Sequence, residues 1–210
     1  DPWGEAQPGG AQYARGEHAG TGWVASQLVF SRADLPKVAG LVASGAVRAA
    51  GLGALDALEV RAWRPSVHGE VDDRSIPHEF DWLRTAVHLN KGCYRGQETV
   101  AKVHNLGHPP RRLAMLHLDG SGGELPEAGA LVFLAGESGS TDARPVGRVT
   151  RAALHYEWGG IALALVKRSV AEDAPLEVRT ASGEVIAVTQ ETIEPADAGR
   201  TRDVPRLKRL

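Results

Sequence analysis

A run of chain breakers, Leu106-Gly107-His108-Pro109-Pro110, divides this sequence into two halves of different texture. Consecutive prolines remove two backbone donors and push the residue before them away from helical angles, so neither a helix nor a central strand passes through. Beyond the break, short apolar runs at residues 112–118, 131–134, 146–150, 161–166, 176–179 and 185–189 alternate with turn residues. Six short strands separated by turns predict a small antiparallel barrel or sandwich.

Ahead of the break the spacing is mostly helical. Residues 23–30 mix Val24, Leu28, Val29 and Phe30 with small polar residues, which predicts a strand. Ser31 with Asp34 three positions on has the form of a capping box, and Leu35, Val38, Leu41 and Val42 then recur at helical spacing until Gly45. A second helix starts near Gly53, places Leu55, Leu58 and Ala62 on one face, and ends at Pro65. Residues 66–77 read as a polar loop, and 81–89, which fit neither period, as a short extended segment. A short helix over 96–105 turns Val100 and Val103 inward.

The bulk numbers narrow the partners. With 210 residues, 42% of them apolar, the chain can bury two modest cores, and a formal net charge of −2 supplies no global field toward nucleic acid or an anionic membrane. A small or neutral partner fits better. The longest aliphatic run, 161–166, is far too short to span a bilayer, and the first residues lack a basic-then-apolar signal pattern, which predicts a cytoplasmic location. The first residue is aspartate and the one methionine is Met115, so the chain reads as a piece of something longer, with residues 1–20 a Gly/Pro/Gln-rich loop.

The single cysteine, Cys93, rules out an internal disulfide or a CxxC couple. It stands just ahead of the helix expected at Gly96, where free N–H groups and the macrodipole favour a thiolate, and Lys91 and Arg95 add positive charge. Gly92 and Gly96 let a ligand approach the backbone closely. Tyr94 can stack on a flat ring while Gln97 and Glu98 hydrogen-bond its edge. A free cysteine is as often a small buried side chain, but that reading calls for apolar neighbours, and here they are polar or glycine. The histidines show no metal-ligand spacing around Cys93, so no metal site is expected. The basic residues of the last eleven positions lack interleaved aromatics, so no direct nucleic-acid contact is expected either.

The segment K-G-C-Y-R-G-Q-E, Lys91 to Glu98, resembles the signature of the YgfZ family of folate-binding proteins, relatives of the glycine-cleavage aminomethyltransferase, or T-protein. The resemblance extends to Arg64-Pro65, to Ile76-Pro77-His78-Glu79, to Arg111-Arg112-Leu113 and to Pro145-Val146-Gly147-Arg148-Val149-Thr150. It implies an α+β chain of aminomethyltransferase folate-binding fold: a loop at 1–20, a partial ferredoxin-like α+β portion over 21–106, a small antiparallel β-barrel over 107–195 and a basic tail at 196–210. It also implies tetrahydrofolate as the bound cofactor, and a role in assembling or repairing iron–sulfur clusters alongside the assembly machinery or cluster enzymes, including those that modify tRNA. Cys93 is then the key thiol, with Lys91, Tyr94, Arg95, Gln97 and Glu98 about the ligand.

One departure bears on the ligand. Aligned on Pro65, the helical glutamate of the T-proteins falls on Arg61. Glu59, two residues earlier, is rotated by roughly 200° on a helix and cannot take its place. Arg61 or Arg64 can instead pair with the glutamate tail of folate. The alternative is a folate-dependent aminomethyltransferase; T-proteins do not carry the cysteine signature, so the expectation is a protein that binds folate without that classical turnover.

Overall fold

The aliphatic run at 161–166 is continuous because the strand that contains it is covered on both faces. In the computed structural model, which describes residues 2–120, 123–140 and 142–202, this strand is β4 (Gly159–Lys167) of a closed barrel. Ala162, Ala164 and Val166 point into the barrel; Ile161, Leu163 and Leu165 point out, into a second core beneath the helical half. The remaining strands are β1 (Arg111–Leu118), β2 (Leu131–Leu134), β3 (Gly147–His155), β5 (Leu176–Arg179) and β6 (Val185–Thr192). They close in the order β1-β4-β3-β2-β5-β6, antiparallel throughout, with β6 returning to β1. All six runs expected from the sequence are strands, and closure leaves no edge exposed. The period of two also splits β1: Ala114 and Leu116 face the interior, Leu113 and Met115 the helices.

The helical half differs from its sequence reading in five places. Residues 23–30 form no strand: no partner strand lies beside them among the described residues, and Val24, Leu28 and Val29 are 91%, 84% and 98% exposed. An extended segment whose backbone groups find no ladder gains nothing from β geometry. Helix α1 (Leu35–Ala43) follows, but Ser31 donates to the Asp34 side chain at 2.9 Å rather than capping a backbone N–H, and the helix buries none of its residues. Helix α2 (Leu52–Arg61) packs on β3 through Ala57 and Val60, leaving Leu55 and Leu58 partly exposed. The bulk of the leucines had pointed to the wrong face. The expected loop contains a kinked turn, α3 (Val67–Glu70), in which His68 and Gly69 leave helical angles and the Ser66 hydroxyl accepts from the His68 N–H, and the expected extended segment contains α4 (Trp82–Thr85). Four residues are too few to show a helical period.

Ion pairs latch the two halves together. From β1, Arg111 donates to Asp72 at 2.6 Å and to Glu79 at 2.8 and 2.9 Å. The Arg111 hydrogen bonds hold the Asp72 carboxyl well below the usual carboxylate range, and both carboxylates in turn raise Arg111. From β3, Arg148 donates to the Glu70 carbonyl at 3.0 Å and the Thr150 hydroxyl donates to the buried Glu70 carboxyl at 2.7 Å. Burial raises the Glu70 pKa against the pull of Arg151. The motif positions Glu79, Arg111, Arg148 and Thr150 are therefore structural clasps.

Helix α5 (Gln97–Leu106) lies beside the 3-10 turn Pro77–Phe80, with Val100 buried and Val103 half-buried. Its last carbonyls are met from the far end of the chain. The N–H groups of Arg200, Thr201 and Arg202 donate to Val103, His104 and Asn105 at 3.4, 2.9 and 3.1 Å. This part of the basic tail is thus a strap on α5; Arg206, Lys208 and Arg209 lie outside the described residues. Among the described residues no helix is long and apolar enough to cross a membrane.

Candidate functional site

Helix α5 begins at Gly96, whose φ of 80° is a left-handed conformation that favours glycine. The turn before it carries Cys93, which is exposed, as are Lys91, Arg95 and Glu98. Tyr94 and Gln97 turn the other way and are half-buried. The Tyr94 ring lies 5.8 Å from the Lys91 ammonium, and burial raises the pKa of its hydroxyl.

Tyr94 and Gln97 line a cavity of about 300 Å³ between α5, the N-terminal loop and the C-terminal strap. Gly9, Asn90, His104, Asn105 and Arg202 complete its polar wall. Glycine is required in the loop here, since a Cβ on Gly10 would stand 2.6 Å from the Arg84 carbonyl oxygen and one on Gly9 would meet the His88 ring at 2.5 Å. Behind His104 the polar groups continue inward. The Tyr13 hydroxyl lies 2.6 Å from His104 Nδ1, and the Tyr13 ring stacks at 6.4 Å on the buried His78. Burial lowers the His104 pKa, and the neighbouring Arg202 lowers it further. Neutral His104 shares one hydrogen bond with the Tyr13 hydroxyl through Nδ1, as acceptor or donor according to its tautomer. Burial, aided by the Glu194 charge, raises Tyr13, while burial and His104 bring His78 down to about 4.

The residues expected from the sequence fall in three places. The Cys93 loop and the cavity of Tyr94 and Gln97 are one. Arg64 is the second: it is paired with Glu59, which also holds Arg151 at 2.6 Å, and it lines a groove of about 800 Å³ with Trp82 and Pro65. Both Glu59 oxygens are engaged in these pairs. Arg61 is the third; its guanidinium lies 3.7 Å above the Trp158 ring in a separate cavity. Tyr13, His104 and Arg202 were not read together from the sequence, because 91 positions separate the first from the second and 98 the second from the third, and nothing local marks the strap. The Gly9-Gly10 pair was the one visible sign of a close approach. Among the described residues no cluster of side chains is arranged to hold a metal ion.

A helical portion clasped by ion pairs to a closed six-stranded antiparallel barrel makes this an α+β protein of aminomethyltransferase-like fold. Residues 111–193 match the family of the glycine cleavage T-protein C-terminal barrel domain. The chain is similar in structure to the glycine cleavage system aminomethyltransferase T from Bartonella henselae, with a TM-score of 0.58 and 18% sequence identity over 81% of this chain and 45% of that one. At this identity the likeness is one of fold, and the chain spans less than half the length of that protein. No curated protein sequence matches the chain.

Proposed function

We propose that the chain is a folate-binding protein of YgfZ type that takes tetrahydrofolate and supports the assembly or repair of iron–sulfur clusters, with Cys93 as its working thiol. The observation that carries this reading is the division of labour at the start of α5. Cys93 is exposed to a partner, while Tyr94 and Gln97, one and four residues on, line a polar cavity. Its volume of about 300 Å³ is at the small end for ligand sites and suits one flat ring system rather than an entire folate. Tyr94 offers a stacking face, and the Gln97 and Asn90 amides offer paired donors and acceptors to a heterocycle edge. Lys91, Arg95 and Glu98 are left on the surface for the cluster machinery or cluster enzyme, and Arg61 and Arg64 are the candidate contacts for a folate tail. An exposed lone thiol suits the reducing cytoplasm.

Calorimetric titration of tetrahydrofolate tests the ligand half. Tyr94→Ala or Gln97→Ala should weaken binding about tenfold, the loss of one stacking or hydrogen-bonding partner, and Cys93→Ala should leave it unchanged. The thiol half is tested in a strain lacking the protein, where Cys93→Ala should fail to restore cluster-enzyme activity. Full restoration by that variant would remove Cys93 from the function. Turnover of methylene-tetrahydrofolate with an aminomethyl donor would replace this reading with the aminomethyltransferase one.

A further inference from the structure

We propose a second ligand site, separate from the Cys93 loop, in the cavity around Arg61, Trp63 and Trp158, and assign to it a small zwitterion of the α-amino-acid type. The cavity is about 300 Å³ and shares no lining residue with the one beside Tyr94. Its construction begins at the end of α2. The Arg64 N–H donates to the Glu59 carbonyl at 2.8 Å and the Trp63 N–H to the Val60 carbonyl at 3.0 Å, the paired bonds of a Schellman ending. That geometry needs a left-handed residue after the C-cap, a position where glycine is usual. Here it is Trp63, with φ 56°. A bulky side chain at positive φ is an outlier with a conformational cost, and such residues concentrate at functional sites. The cost sets the indole on the cavity wall, held edge-on by His18 at 5.1 Å.

Two donor groups of the lining residues have no hydrogen-bond partner among the described residues. Trp63 is 5% exposed, and its indole N–H is buried with no acceptor. Native structures rarely leave such a group unmet. Arg61 makes no ion pair or hydrogen bond among the described residues, yet it is not free to wander, since its guanidinium is stacked 3.7 Å over Trp158. A preoriented guanidinium is suited to a carboxylate, which it can take with two parallel N–H bonds. The same lining also carries the opposite sign. Glu191 lines the cavity with its Oε2 at 3.1 Å from His117 Nε2, and Glu17 stands exposed at the rim beside Thr21. An anion alone would meet these carboxylates; a cation alone would meet Arg61. A molecule with a carboxylate and an ammonium on one carbon satisfies both signs of charge.

The test follows the indole N–H signals of the intact chain by NMR, with Trp63→Phe identifying the Trp63 signal. Titration with L-alanine should move that signal, and N-acetyl-L-alanine and acetate, which lack the ammonium, should bind at least several-fold more weakly. Arg61→Gln should weaken L-alanine about tenfold or more, the usual effect of one charge-assisted pair, and Glu191→Gln should erase the advantage over acetate. A urea midpoint like that of the wild type shows that each variant is folded. An unmoved Trp63 signal at millimolar L-alanine, or equal binding in the Arg61→Gln protein, would overturn the site. Equal affinity for the acetylated compound would overturn the zwitterion. Arg61 is also a candidate contact for the folate tail, so the two readings are separated with Glu191→Gln, which should lose its preference for L-alanine while calorimetry gives the wild-type affinity for tetrahydrofolate.

Discussion

Two buried titratable residues give this protein opposite responses to pH. His78 is fully buried and its pKa falls from 6.5 to about 4, chiefly through burial. The unfolded chain takes up a proton as pH drops through the ordinary histidine range and the folded chain does not, so stability is lost between about pH 6.5 and 4. The loss is at most on the order of 3 kcal/mol. Urea unfolding across that range should be less pH-dependent in His78→Gln than in the wild type. Glu194 works the other way: buried near Asp81, which already holds Arg84 and His18 at 2.8 Å each, it has its pKa raised well above 4.5, first by burial and then by the Asp81 charge. The folded state keeps a proton that the unfolded state releases, so stability is full below the ordinary carboxyl range and declines as pH rises through and above it. Glu194→Gln should therefore unfold at higher urea than the wild type near pH 8 and at about the same urea near pH 4. An equal midpoint at both would mean that Glu194 is not held protonated.

At the scale of elements, what was legible depended on whether a segment's own pattern decided its structure. The six strands could be read because each is a short apolar run between turn residues and each is paired on both sides in the closed barrel. The exposure of Cys93 could be read because its polar neighbours argued against simple burial. The strap was not, since its contacts are backbone N–H groups from Arg200 to Arg202 meeting carbonyls about a hundred positions earlier. Its geometry depends on Gly199, at φ 88°, where a Cβ would stand 2.4 Å from the Gly107 carbonyl oxygen. Gly199→Ala should displace the strap and reopen the helix-end carbonyls of His104 and Asn105, while Val103 keeps the Gly107 N–H at 3.1 Å. A cost of about 1–3 kcal/mol follows from those bonds and the left-handed backbone. Urea unfolding measures the cost, and hydrogen exchange should rise in the last turn of α5 while the barrel amides are unchanged. Protection retained in that turn would mean that the strap contributes nothing to it.

Across the whole molecule, apolar surface is distributed unevenly. The barrel is filled inside and covered outside by Ala57, Val60, Trp63 and Phe80. The stretch from Val24 to Leu55 has no such cover: Leu52 is 80% exposed, and α1 buries nothing despite three exposed large apolar side chains. The helical spacing of α1 was legible; what its apolar side chains pack against was not, because no residue of the described chain supplies it. Contiguous apolar surface of this kind marks an interaction face or an aggregation hazard. Since Val24, Leu28 and Val29 make little contact in the folded chain, replacing them with Ser, Gln and Thr should change stability by no more than about 0.5 kcal/mol each. The same triple change should lower the binding of a hydrophobic dye and reduce concentration-dependent self-association in sedimentation velocity. A large fall in the urea midpoint would instead show that residues 23–30 pack against the chain in solution, and dye binding equal to that of the wild type would place the sticky surface elsewhere, on the outer faces of α1 and α2.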